Sequence, residues 1–114
     1  MTTTYTGVWN MKDVYRGDSI NSSTISIKDT DTLEVLIPKS VCLQFRDKND
    51  NLVYDWIPTI LTSGKVVFPP IPKEDTQQFP VGVLKFDIEF TRPDDKVRTY
   101  VSGKLRILED VSRC

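Results

Sequence analysis

The chain contains no histidine. That removes the usual general base, the commonest metal ligand and the ordinary near-neutral pH switch, and it rules out a Ser-His-acid triad. Cysteine is almost as scarce, with Cys42 inside a strand-like segment and Cys114 at the last position. A bridge between them is not expected, because a chain end would have to reach a strand centre, and two unpaired thiols suit synthesis in a reducing cytoplasm. No apolar run approaches the roughly 20 residues of a membrane helix. The opening MTTTYTGVWNMKD lacks the basic start and apolar core of a signal peptide. Neither sign of charge dominates: 15 basic residues meet 16 acidic ones, for a net charge of −1, and no block of five like charges occurs. Nucleic-acid binders usually carry a basic excess or stripe, so that class loses its support, and no membrane partner is expected either. No long amphipathic helix and no internal repeat is visible.

What the chain has is alternation. Its 114 residues, 39% hydrophobic and 27% charged, suffice for one domain with a single core. Leu84, Phe86, Ile88 and Phe90 alternate with Lys85, Asp87 and Glu89. Side chains on a strand point to opposite faces in turn, so this spacing predicts one apolar face and one polar face. Past a Pro-Asp-Asp turn at residues 93–95, Val97, Thr99, Val101, Leu105 and Ile107 alternate with Arg98, Tyr100, Ser102, Lys104 and Arg106. Two long antiparallel strands follow from that pattern.

Shorter strands precede them. Residues 24–28 place Ile25 and Ile27 on one face, and residues 32–37 place Leu33, Val35 and Ile37 inward before Pro38 breaks the run. Residues 40–46 turn Val41, Leu43 and Phe45 to the core and Cys42, Gln44 and Arg46 outward. A polar hairpin loop at residues 47–51 returns into residues 52–57, where Trp56 is the natural large core residue. Ser63-Gly64 turns into residues 65–68. The proline-rich PPIPKEDTQQFP forbids a central strand, allows a short helical turn at residues 73–78, and carries the chain between sheets. The expected fold is therefore an all-β, immunoglobulin-like antiparallel β-sandwich, with residues 1–10 an N-terminal arm or edge strand and residues 11–114 a single sandwich domain.

Each candidate for chemistry has a plainer reading. Arg16-Gly17-Asp18 matches an adhesion tripeptide, yet it also reads as a bend in which Gly17 supplies unusual torsions. Asp47, Asn49 and Asn51 have alternating oxygens like a calcium loop, but the loop glycine and distal glutamate are missing, with Pro58 where the glutamate would fall. Asp94, Asp95, Glu109 and Asp110 sit in a turn and at a strand end, not facing one another across a cleft. Trp9, Tyr54, Trp56 and Tyr100 are either packing residues or an aromatic platform for sugars. No catalytic residue, metal or cofactor is expected.

Several segments together carry a resemblance. These are Tyr15-Arg16-Gly17-Asp18-Ser19, then Val41-Cys42-Leu43-Gln44-Phe45-Arg46-Asp47, then Gly82-Val83-Leu84-Lys85-Phe86-Asp87-Ile88-Glu89, continuing through Val97-Arg98-Thr99-Tyr100-Val101-Ser102-Gly103 to Glu109-Asp110-Val111-Ser112-Arg113. Over residues 15–113 the chain resembles the small β-sandwich domains of tailed-phage virion proteins, nearest among them the N-terminal domain of phage baseplate upper proteins. In that family the domain leads into a helical linker and a receptor-binding or oligomerising region, whereas this sequence stops at Cys114, so a stand-alone module of the baseplate, tail, neck or head surface is expected. The resemblance implies a non-enzymatic structural component of a virion, made in the host cytoplasm, that binds other virion structural proteins in a symmetric, multi-copy assembly. Tyr5, Trp9, Arg16, Asp18 and Cys114 are the residues assigned to that assembly interface. The alternatives are a carbohydrate-binding module, which requires Trp9, Tyr54 or Trp56 exposed in a shallow groove, and an inhibitor of one host protein.

Overall fold

The alternation over residues 84–90 becomes one side of a long hairpin. The computed structural model describes residues 2–4, 7–9, 11–28 and 35–110, so the expected turn at residues 29–31, the start of the 32–37 strand and residues 111–114 lie outside the described residues. In order, the elements are β1 (Thr2–Thr4), β2 (Gly7–Val8), β3 (Val14–Tyr15), β4 (Ser23–Lys28), β5 (Val35–Leu36), β6 (Ser40–Arg46), β7 (Leu52–Asp55), β8 (Thr59–Ile60), β9 (Val66–Phe68), α1 (Lys73–Thr76), β10 (Gly82–Thr91) and β11 (Val97–Leu108). Among the described residues they form two sheets. One runs β1-β4-β9-β8 with β5 also on β4, and the other runs β2-β11-β10-β6-β7 with β3 also on β11.

The body of both sheets is antiparallel, as expected of the sandwich. Three N-terminal pieces break that rule: β1 lies parallel to β4, and both β2 and β3 lie parallel to β11. The first residues thus add to an edge of each sheet in turn. The 73–78 helical turn is present as the short α1, and the proline segment around it crosses from one sheet to the other.

Between the sheets lies one core. The six-stranded sheet contributes Leu43 and Phe45 from β6, Leu84, Phe86, Ile88 and Phe90 from β10, and Val101, Leu105 and Ile107 from β11; Ile25, Val66, Phe68 and Ile71 come from the opposite layer. Phe45 anchors its centre, stacked on Trp56 at 5.9 Å and edge-on to Phe86 at 5.4 Å. Ile20 and Ile71 close one flank through reciprocal backbone bonds of 2.9 and 2.8 Å.

The alternation along β11 does not run unbroken, and one inward assignment, Ile37, fails. Val97 and Thr99 are exposed, because the β10–β11 register shifts between Ile88, which pairs with Val101, and Glu89, which pairs with Thr99. Tyr100 is thereby an extra residue on β11, and a bulge of one residue moves everything beyond it to the other face. Ile37, expected to point inward, is 48% exposed, because the strand ends at Leu36 and Ile37 lies beyond its last pair. The free edge β7 is blunted in a familiar way: it is only four residues long and its register with β6 shifts between Phe45 and Arg46.

Candidate functional site

The residues assigned to assembly occupy different places. Tyr5 and Cys114 lie outside the described residues. Trp9 and Arg16 both lie along β11, held there by the parallel pairing of the N-terminal segment. The Trp9 N–H donates to the Ser102 carbonyl at 2.8 Å, and its half-buried ring meets Phe86 edge-on at 5.7 Å. That position rests on Gly103, where any larger residue would strike the Trp9 carbonyl oxygen.

Arg16 begins the turn that follows β3. Its N–H donates to the Leu108 carbonyl at 2.9 Å, and its guanidinium stands 3.6 Å from the Asp110 carboxylate. Gly17 has φ of 91°, a left-handed torsion that favours glycine, and the Asp18 N–H closes the turn on the Tyr15 carbonyl. The buried Thr76 hydroxyl donates to the Asp18 carbonyl at 2.8 Å, which ties this turn to α1. The Arg-Gly-Asp run is thus a bend whose arginine is paired within its own chain.

The calcium-like loop uses its carboxylate internally. Asp47 Oδ1 accepts the N–H groups of Asn49 and Asn51 at 2.9 and 3.0 Å, and these bonds, led by that from Asn51, hold the carboxyl below its usual range. Asp50 takes the left-handed φ of 66° that aspartate tolerates. Asp94 and Asp95 sit in the β10–β11 turn, with Asp94 Oδ1 accepting the Lys96 N–H and Asp95 paired to Lys39.

Among the described residues, Tyr54 and Trp56 do not form an exposed aromatic platform. Trp56 is buried to 1% and its Nε1–H donates to the Pro69 carbonyl at 2.7 Å. Tyr54 packs its ring on Phe79 and donates its hydroxyl to Asp75 Oδ2 at 2.8 Å. Both rings share a strand face, and that face is the core, because Trp56 follows β7 in the register that hydrogen-bonds to Leu43. The side chain of Tyr100 lies outside the description. The shallow groove required for sugar stacking is therefore not built from Trp9, Tyr54 and Trp56.

Burial first, and then Asp75, push the Tyr54 hydroxyl up to about 12. A phenol ordinarily titrates near 10, so its folded value is raised above its unfolded one. The neutral phenol's contribution is complete below about pH 10 and disappears as pH climbs from about 10 toward 12. Tyr54→Phe is expected to lower stability by about 0.5–1.5 kcal/mol near neutrality and to abolish this alkaline component, as read by urea unfolding at stepped pH.

The alternation already turns Lys85, Asp87, Glu89 and Lys104 outward as a face of mixed sign, but it does not show that Arg46 and Gln44 of β6 join them. An open trough of about 660 Å³ there is lined by residues that include Arg46, Lys85, Lys104, Asp87 and Glu89. The exposed Cys42 thiol also lies in it, pushed up by burial first and then by Asp55, Glu89 and Asp87, which disfavours a reactive thiolate. Only the strand register, which the sequence does not print, puts these groups side by side.

No protein-family profile and no curated protein matches the sequence. Solved structures do. The chain is similar to CopC from Methylosinus trichosporium OB3b, with a TM-score of 0.52 and 9% identity over 91% of each chain. It is also similar to the N-terminal domain of ORF48 from phage TP901-1, with a TM-score of 0.48 and 10% identity over 95% of this chain and 99% of that domain. At such identities the likeness to CopC shows a shared β-sandwich. Among the described residues no helix is long and apolar enough to cross a membrane.

Proposed function

We propose that this chain is a non-enzymatic structural component of a tailed-phage virion, acting through protein–protein assembly in the manner implied by its resemblance to the N-terminal domain of baseplate upper proteins. One observation carries the reading. The segments that hold the resemblance are far apart in sequence, yet β3, β11, β10 and β6 are successive neighbours in one sheet. The first and last of them meet directly, through the ion pair of Arg16 with Asp110 at 3.6 Å. Marks that form one continuous surface support a common structural unit better than scattered matches do. The proposed partners are other virion structural proteins, and the proposed location is the particle.

Mass spectrometry and cryo-electron microscopy of purified particles test this reading. The expected result is the protein at a fixed copy number; its absence from the particle sinks the idea. A milder test uses Arg16→Ala. Both partners of the Arg16–Asp110 pair are more than a third exposed, and an exposed pair contributes about 0–1 kcal/mol. Stability should therefore stay within about 1 kcal/mol of wild type while incorporation into particles falls.

A further inference from the structure

The outer face of the six-stranded sheet carries its charges in rows. Lys85 stands directly opposite both Arg46 and Lys104, so three cations line up across β6, β10 and β11. The next row holds Asp55, Gln44, Asp87 and Ser102, and the row beyond it holds Cys42, Glu89 and Thr99. Like charges directly opposite one another on neighbouring strands repel. Internal partners relieve only part of this. Arg46 donates to Gln44 Oε1 at 2.8 Å and to the Asp50 carbonyl at 3.0 Å, and Lys85 stands 3.6 Å from Asp50. The Lys104 ammonium has no partner among the described residues.

We propose that this face docks a second copy of the same chain. The occupant has to offer a row of anionic and polar groups at strand pitch, beside a row of cations, and the second row of this very face does so. A two-fold axis lying in the face, across the strands and between the first two rows, sets Lys85 of each copy against Asp87 of the other. The same axis sets Lys104 against Ser102 and Arg46 against Gln44. Adjacent rows are about 7 Å apart and adjacent strands about 4.8 Å, so long lysine and arginine side chains span the offset. Isologous pairing of this kind is the commonest form of homo-oligomer. With a net charge of −1, little overall repulsion opposes the approach. The inference is independent of the virion reading, since a chain of any function can associate through this face.

Sedimentation equilibrium of the wild-type chain over a concentration series tests it. A dimer is expected at low ionic strength, weakening in about 1 M salt, where the screening length falls to about 3 Å. Lys85→Glu and Asp87→Lys each place like charges in contact, so each alone should weaken association at least about tenfold, equivalent to 1.4 kcal/mol. An equimolar mixture of the two variants re-creates both pairs and should restore the dimer as a heterodimer. Lys85 and Asp87 are exposed, so each variant should still unfold cooperatively, with its midpoint moved only slightly by the changed charges within the row. A wild-type monomer throughout overturns the proposal, as does a dimer indifferent to both substitutions or a mixture that stays monomeric.

Discussion

Trp56→Ala is expected to destabilise the protein by about 3–5 kcal/mol. The indole is 1% exposed, stacks on Phe45 at 5.9 Å and leans on Phe68 at 4.9 Å. Truncation removes this apolar area and leaves a cavity between the two sheets. It also strands the Pro69 carbonyl, which accepts the indole N–H at 2.7 Å. Trp56 joins the layers: its backbone N–H bonds to Leu43 in the six-stranded sheet, while its ring reaches Phe68 on β9 in the other. Native domains are stable by only about 5–15 kcal/mol, so the variant should lose a large share of its stability and unfold roughly 10–20 °C lower. Trp56→Phe separates the two contributions, since it keeps most of the ring and discards the hydrogen bond, for a loss nearer 1–2 kcal/mol. Urea unfolding of the three proteins decides it. An alanine variant within about 1 kcal/mol of wild type would mean that the sheets do not depend on this joint.

Gly103→Ala should lower stability by about 2–4 kcal/mol, a large effect for one methyl group. An added Cβ would fall on the Trp9 carbonyl oxygen and within 2.8 Å of Phe86 Cζ. The backbone oxygen cannot swing aside as a flexible side chain would. The least costly relief is for the N-terminal segment to leave β11, which forfeits the Trp9–Phe86 contact and the bonds from Trp9 N–H to Ser102 and from Met11 N–H to Lys104. Fluorescence reads this directly in the Trp56→Phe background, where Trp9 is the sole tryptophan. Its emission should shift to the red when Gly103→Ala is added. An unchanged midpoint and an unshifted spectrum would show that the segment is not seated on Gly103. By the same reasoning, removal of residues 1–10 should lower stability as well as any assembly role, because β1 and β2 add to edges of both sheets and Trp9 packs on the core.

The sequence by itself determined the sandwich. Strict alternation along Leu84, Phe86, Ile88 and Phe90, and along Val41, Leu43 and Phe45, admits one buried face, and Leu84, Phe86, Ile88, Phe90, Leu43 and Phe45 are the residues buried there. Local chemistry also fixed the turns at Gly17 and Gly64, where positive φ favours glycine, and the proline-flanked crossing between sheets. Other features depend on pairing partners. The bulge at Tyr100 sends Val97 and Thr99 outward, and nothing in the local alternation marks where register slips. The parallel seating of β1, β2 and β3 escapes sequence reading because residues 2–4, 7–8 and 14–15 are too short to show a period. Whether Tyr54 and Trp56 formed a sticky patch or a core was open, since both faces of their strand carry apolar residues; packing against Phe45, Phe68 and Phe79 settled it inward. The ion pair of Arg16 with Asp110 and the cation row of Arg46, Lys85 and Lys104 join residues from distant parts of the chain. Alternation is a local consequence of strand geometry, so the sequence carries it openly. Register and edge pairing are set by which strands meet, and only the tertiary structure decides that.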